Sequence, residues 1–145
     1  MENFNNLDLL FVILTGKVSL VINRALTRSF KAAGIDITPE QFTVMAYLWR
    51  NDGITQQEIC TVTNKDKTSM TRLIDNLEKQ NLVFRIVDRA DRRSNLIHLT
   101  QNGKNMKVKT SEAALLITKQ ALNGVSNEQL DTCRVVLKTV LTNIG

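Results

Sequence analysis

Two groups of residues in this chain have the chemistry to hold a polyanion. The first is Lys65 with Lys67, Thr68, Ser69, Thr71 and Arg72; the second is Arg89 with the adjacent Arg92 and Arg93. Short hydroxyl side chains let a helix sit deep in a groove, and long cations beside them reach phosphates or guanine edges. Residues 65–93 carry eight basic and five acidic groups, whereas residues 1–64 carry five basic and six acidic ones. That asymmetry points to a polyphosphate partner; the ordinary alternative is a solvated face. Catalytic groups are scarce by comparison. The 145 residues include one histidine, His98, and two cysteines, Cys60 and Cys133, which are far apart. A tetrahedral zinc site needs about four N or S ligands, so neither a metal nor another cofactor is expected. Any Ser-His-Asp or Cys-His site would have to use His98, and in Leu96-Ile97-His98-Leu99 that residue reads as an outward-facing strand histidine. No glycine loop of the phosphate-cradling kind occurs. The chain reads as a binding protein and not an enzyme.

The first group needs a helix and the second a hairpin. Thr38-Pro39-Glu40-Gln41 is a helix start, with Thr38 as cap, Pro39 at the first helical position and Gln41 closing the box. That helix runs through Phe42, Met45 and Leu48 to Arg50, and Asn51-Asp52-Gly53 ends it. Thr55-Gln56-Gln57-Glu58 opens a second, short helix through Ile59 and Cys60, where Cys60 fills core. After the turn Asn64-Lys65-Asp66, a longer helix puts Met70, Leu73, Ile74 and Leu77 on one side and the first cationic group on the other. This is a helix-turn-helix pattern. Leu82–Val87 and Asn95–Leu99 then read as paired strands. Their connection, Asp88 to Ser94, is longer than the usual two to five residues and carries the three arginines. An arginine-bearing tip suits a narrow minor groove, with Asp91 as local partner of a wing arginine. A helix-turn-helix followed by a basic hairpin is a winged helix.

Helices flank this unit. Residues from about Leu7 to Ala33 repeat apolar side chains every three or four positions, and Gly34 serves as stop. Around Leu9–Leu14 the helix is apolar nearly all round, so one side needs a second partner. Thr100 caps a helix read as continuous to Leu122, with Gly124 as its end. Ser126-Asn127-Glu128-Gln129 opens a last helix whose Leu130, Cys133, Leu137, Val140 or Leu141, and Ile144 form a packing seam. Met1-Glu2-Asn3 lacks the basic start of a signal peptide. The longest unbroken apolar run, Leu9–Leu14, is far shorter than a membrane span. A cytoplasmic protein without membrane contact is expected. A hydrophobic content of 43% and a charged content of 23% exclude disordered, collagen-like and disulfide-scaffold chains.

Taken in order, Ile37-Thr38-Pro39-Glu40-Gln41-Phe42, Thr55-Gln56-Gln57-Glu58-Ile59, the run from Lys67 to Lys79, Asp91-Arg92-Arg93, and Ile97-His98-Leu99-Thr100 with Gly103 resemble the MarR (multiple-antibiotic-resistance regulator) family of bacterial winged-helix transcription factors. The resemblance implies a mainly α fold with a small β-hairpin. Residues 36–100 would be the DNA-binding winged helix, and residues 1–35 and 101–145 the dimerisation helices. It implies a homodimer on a pseudo-palindromic operator in double-stranded DNA, acting as a repressor that a small phenolic or anionic effector releases. The expected DNA contacts are Thr55, Lys65, Lys67, Thr68, Ser69, Thr71, Arg72, Arg89, Arg92 and Arg93, with Asp91 and Arg85 as wing braces. Leu10, Phe11, Leu14, Leu130, Leu137, Val140, Leu141 and Ile144 would form the dimer contact. Tyr47 and Trp49 are either core aromatics, the favoured reading, or walls of the effector pocket. The branch of the family that senses peroxides uses a first-helix cysteine; here Thr15, Gly16 and Lys17 occupy that region. The proline that many relatives carry before the wing is replaced by Val87-Asp88-Arg89-Ala90. The competing reading is a dimeric helical interaction module that does not bind DNA.

Overall fold

A computed structural model describes residues 6–145. Met1–Asn3, read above for a leader, and the side chain of Leu7 lie outside the described residues. The elements follow one another as α1 (Asn6–Ala32), α2 (Pro39–Arg50), β1 (Ile54–Thr55), α3 (Gln56–Thr63), α4 (Lys67–Lys79), β2 (Val83–Val87), β3 (Asn95–Leu99), α5 (Gln101–Asn105), α6 (Lys107–Ala121) and α7 (Asn127–Ile144).

All three anticipated capping boxes form, at Thr38/Gln41, Thr55/Glu58 and Ser126/Gln129. Each satisfies backbone N–H groups that the first helical turn leaves without partners. Asp66, which the sequence reading left in a turn, caps α4. Asn64 before it adopts a left-handed conformation (φ 55°) that ends α3, a role asparagine tolerates better than most residues.

The winged-helix unit closes its own core. Val44, Met45 and Leu48 of α2, Ile59 of α3, Met70, Ile74 and Leu77 of α4, and Val83, Ile97 and Leu99 of the sheet are all buried in one cluster. A second cluster joins Phe30 of α1 to Ile35, Ile37, Ala113 and Ala114. There Ser29 Oγ donates to the Ala113 carbonyl at 2.9 Å, linking α1 to α6.

Three expectations need correction. The hairpin is a three-stranded antiparallel sheet in the order β1-β3-β2, because Ile54 and Thr55 pair with Ile97 and Leu96. Two residues are too few to show a period-two pattern. The helix read as continuous from Thr100 is broken at Met106, which closes α5 and opens α6. In α5, Gly103 is required, since a Cβ there would collide with the Leu82 carbonyl. Thirdly, α1 is long and apolar enough by composition to cross a membrane, with a mean hydropathy of 1.7 over eighteen residues within Asp8–Ala32. An unbroken-run criterion misses this because Thr15, Gly16 and Lys17 interrupt the run.

The first half of α1 and the whole of α7 stand away from these cores. Leu10, Phe11 and Leu14 are exposed, and no side chain of α7 is buried within the chain. Leu130 and Val140 are half-buried, while Cys133, Leu137, Leu141 and Ile144 are exposed.

Ile74, completely buried between α4 and the sheet, tests the first core. Ile74→Ala is expected to destabilise the chain by about 2–5 kcal/mol, read by urea unfolding. A loss below about 0.5 kcal/mol, the range of surface changes, would mean that this cluster does not hold α4.

Candidate nucleic-acid interface

Helix α4 presents its cationic side because its apolar side is committed to the core. Lys67, Thr68 and Arg72 are exposed, whereas Ser69 and Thr71 are half-buried. The hydroxyls differ in what they already do. Ser69 Oγ donates to Asp66 Oδ2 at 2.7 Å, and Thr71 Oγ1 donates to the Lys67 carbonyl at 2.8 Å while accepting from Gln56 Nε2 at 3.0 Å. Thr55 Oγ1 donates to Glu58 Oε2 at 2.8 Å and so belongs to the α3 cap. Among the described residues, only Thr68 of these hydroxyls makes no hydrogen bond. Lys65 reaches Glu40 Oε2 of α2 at 3.0 Å. It is engaged with α2, unlike Lys67 and Arg72, for which no carboxylate partner occurs among the described residues.

The wing runs from Asp88 to Ser94 between β2 and β3. Its closing bonds are backbone ones, Asp88 N–H to the Ser94 carbonyl and Ser94 N–H to the Asp91 carbonyl, both at 2.9 Å. Asp91 Oδ1 accepts the Arg93 backbone N–H at 3.0 Å, and Asp88 Oδ1 accepts that of Ala90 at 2.9 Å. The expected partnership of Asp91 with a wing arginine is therefore to its main chain, not its guanidinium. Arg89, Arg92 and Arg93 are exposed and without carboxylate partners among the described residues. Arg85 lies in the stem of the wing and not at its tip. Its guanidinium turns from the stem of the wing onto α4, within 2.7 Å of Asp75 Oδ1 and 2.6 Å of Glu78 Oε2. A groove of about 490 Å³ separates α4 from the wing, lined by Gln56, Lys67, Thr71, Arg85, Asp91 and Arg93 among others. The helix face and the arginine tip thus share one side of the molecule.

Trp49 packs against the winged-helix core, whereas Tyr47 is half-buried and outside both core clusters. Tyr47 Oη donates to the Val62 carbonyl at 3.1 Å, and Trp49 Nε1 donates to the Gly103 carbonyl at 2.9 Å beside the Phe42 ring. Neither lines the cleft of about 640 Å³ between α1, the start of α2 and α4. Arg24 and Arg28 line that cleft with Asn23, Thr38, Gln41 and Asn76. Sequence reading missed the two arginines because they interrupt an otherwise apolar helix and resemble ordinary solvated cations.

Burial pushes the Cys60 thiol up, and the nearby Asp66 charge adds to the shift. His98 stacks on Phe84 at 5.5 Å, with its Nδ1 3.9 Å from Asp52. These arrangements suit packing residues.

The MarR family model matches residues 35–94, which run from the entry to α2 through the wing. The winged-helix segment, 60 of the 145 residues, is thus similar to the MarR family. The organic hydroperoxide resistance transcriptional regulator of Bacillus subtilis (strain 168) is 27% identical over 124 residues, covering 84% of this chain and 83% of the relative. The structure of reduced AbfR bound to DNA superposes with a TM-score of 0.84 at 22% identity, covering 99% of both chains. The S. aureus MepR–DNA complex gives 0.82 at 24% identity, covering 92% of this chain and 98% of that one. These likenesses show a winged-helix MarR fold along nearly the whole chain. The first cysteine of this chain is Cys60, so the first helix offers no thiol for the peroxide chemistry described above.

Two carboxylates hold the helix-turn-helix caps. Hydrogen bonds from the Thr55 backbone and hydroxyl hold the Glu58 carboxyl below its usual range, and those from Ser69 do the same for Asp66. A lowered folded value means the caps contribute fully at neutral pH and lose that contribution as pH falls through the lowered values. The Glu58 and Ser69 amide resonances are expected to titrate with midpoints below the ordinary carboxylate region. Midpoints at or above that region would show that these caps are not formed in solution.

Proposed function

We propose that this protein is a MarR-family regulator, a homodimeric repressor that reads a pseudo-palindromic operator in double-stranded DNA and is released by a small anionic or phenolic effector. In each protomer, α4 enters the major groove with Lys67, Thr68 and Arg72 foremost. The wing lays Arg93, flanked by Arg92 and Arg89, along the adjacent minor groove. Ser69 and Thr71 approach the same groove from the side of α4. Lys65 and Thr55 stand at its edge, where phosphates replace Glu40 as the partner of Lys65. The observation that carries this reading is the set of free cations on one side. Among the described residues, three wing arginines and two α4 cations face outward without carboxylate partners, although acids stand close to them in sequence.

The dimer follows from the apolar sides left open on α1 and α7. Leu10, Phe11 and Leu14 supply one side of the seam; Leu130, Leu137, Val140, Leu141 and Ile144 supply the other. Two protomers must hold their α4 helices about 34 Å apart, one turn of B-DNA. The effector occupies the cleft lined by Arg24 and Arg28, between the dimerisation helices and the winged helix. There it favours a spacing that no longer matches the duplex. The work is binding and not catalysis, performed in the cytoplasm.

With each protomer neutralising three or four phosphates, the double-logarithmic salt dependence of affinity is expected to have a slope of about −5 to −7 for the dimer. Fluorescence anisotropy across a salt series measures it, and a flat response counts against DNA as the partner. Arg93→Ala should weaken binding by about 1–3 kcal/mol. Unchanged affinity in that variant would remove the wing from the interface.

A further inference from the structure

Asp75 and Glu78 sit on α4, the helix that enters the groove, yet they carry the charge that phosphates repel. Neither is solvated alone. Arg85 Nη1 lies 2.7 Å from Asp75 Oδ1 and 2.6 Å from Glu78 Oε2. Glu78 Oε1 also accepts the Arg85 backbone N–H at 3.0 Å, so this acid grips the strand as well as the side chain. The remaining guanidinium nitrogens reach back to the helix pair: Nη2 donates to the Thr71 carbonyl at 3.4 Å and Nε to Gln56 Oε1 at 3.5 Å. Arg85 is the centre of the wing's stem, paired with the buried Ile97 across β3. Its side chain is only 20% exposed, against 47% for Asp75 and 34% for Glu78.

A simple neutralising ion pair would not need the backbone. The grip on the Arg85 N–H and the contacts to Gln56 and Thr71 fix a direction, since a planar guanidinium with several partners cannot rotate freely. We infer that Asp75 and Glu78 are positioning residues for DNA binding. Through Arg85 they set the angle between α4 and the wing stem, and with it the span between major-groove and minor-groove contacts. This rests on the DNA-binding reading above. The two effects of an acid on α4 have opposite signs here. As charges, Asp75 and Glu78 weaken binding; as anchors of Arg85, they strengthen it.

The sign decides the test. A duplex is selected from a random pool by the wild-type protein, and affinities are measured for Glu78→Ala, Asp75→Asn, Arg93→Ala and the Glu78→Ala/Arg93→Ala pair. If the wild type selects no duplex, the DNA reading fails and the positioning role falls with it. Otherwise Glu78→Ala is expected to weaken binding roughly 5- to 20-fold despite removing a negative charge, within the range of one lost base contact. Hydroxyl-radical protection should disappear under the wing while the α4 protections persist. Asp75→Asn, which keeps the side chain's shape, should shift affinity the same way by a smaller factor. The double variant should bind no worse than Arg93→Ala alone, because both lesions remove the same wing contact. Unchanged or tighter binding in Glu78→Ala and Asp75→Asn overturns the inference. Additive losses in the double variant, or a uniform loss of all protections, overturn it as well.

Discussion

The chain contains more apolar helix surface than it can cover by itself. The winged-helix unit is satisfied, with α2, α3, α4 and the sheet closing around Met45, Ile59, Ile74 and Ile97. Helices α1 and α7 are not. Leu9 to Leu14 and the seam of α7 remain in contact with solvent in the single chain. Apolar surface on that scale is ordinarily covered by a partner. In the dimer proposed above, a second copy would cover it symmetrically and thereby set the distance between the two reading helices. The same physics accounts for the membrane-like composition of α1. A helix that contacts its own α6 on one side and a partner on another is apolar round most of its circumference.

A count of charges does not show which of them are free to pair. Residues 65–93 have a formal excess of three positive charges. All five acids of that segment are engaged: Asp66 in a helix cap, Asp75 and Glu78 with Arg85, Asp88 and Asp91 with wing amides. Of the eight bases only Lys65 and Arg85 have carboxylate partners among the described residues. The acids are thus held in place by protein donors, while most of the cations are left to pair with whatever anion approaches. This distribution also explains why aspartates are tolerated in a wing that approaches phosphates: they shape the loop that displays the arginines.

How much of this could be read in advance follows the range of the interactions. Capping boxes, the Gly34 stop, the apolar stripe of α4 and the strand pair are local, with partners a few residues apart, and they were legible. Strand β1 was not, because its two residues owe their conformation to β3, more than forty positions away. The break at Met106 was hidden because the apolar spacing continues across it. The partners of Arg85 required knowing that the wing stem lies over α4. A sequence offers two nearby acids and an arginine without saying which of them meet. The cleft between α1, α2 and α4 was illegible for the same reason. Its arginines come from one helix and much of its polar wall from two others, whereas neither Tyr47 nor Trp49 reaches it.

Two geometries must be right for such a molecule to read a duplex, and the structure holds them by different means. The span from recognition helix to wing lies within one protomer and is pinned by a partly buried guanidinium with several partners. In the proposed dimer, the span from one recognition helix to that of the second copy would run through α1 and α6, which meet through Phe30, Ala113 and Ala114 and one hydrogen bond, from Ser29 Oγ to the Ala113 carbonyl, beside an open cleft. Apolar helix contacts permit small slides and rotations at low cost, whereas a multiply bonded arginine does not. On the reading proposed above, an effector in the cleft beside Arg24 and Arg28 would act on the second geometry and leave the first intact. Each released protomer would then keep a competent reading face, and the loss of affinity would arise from the pair no longer matching the pitch of the duplex.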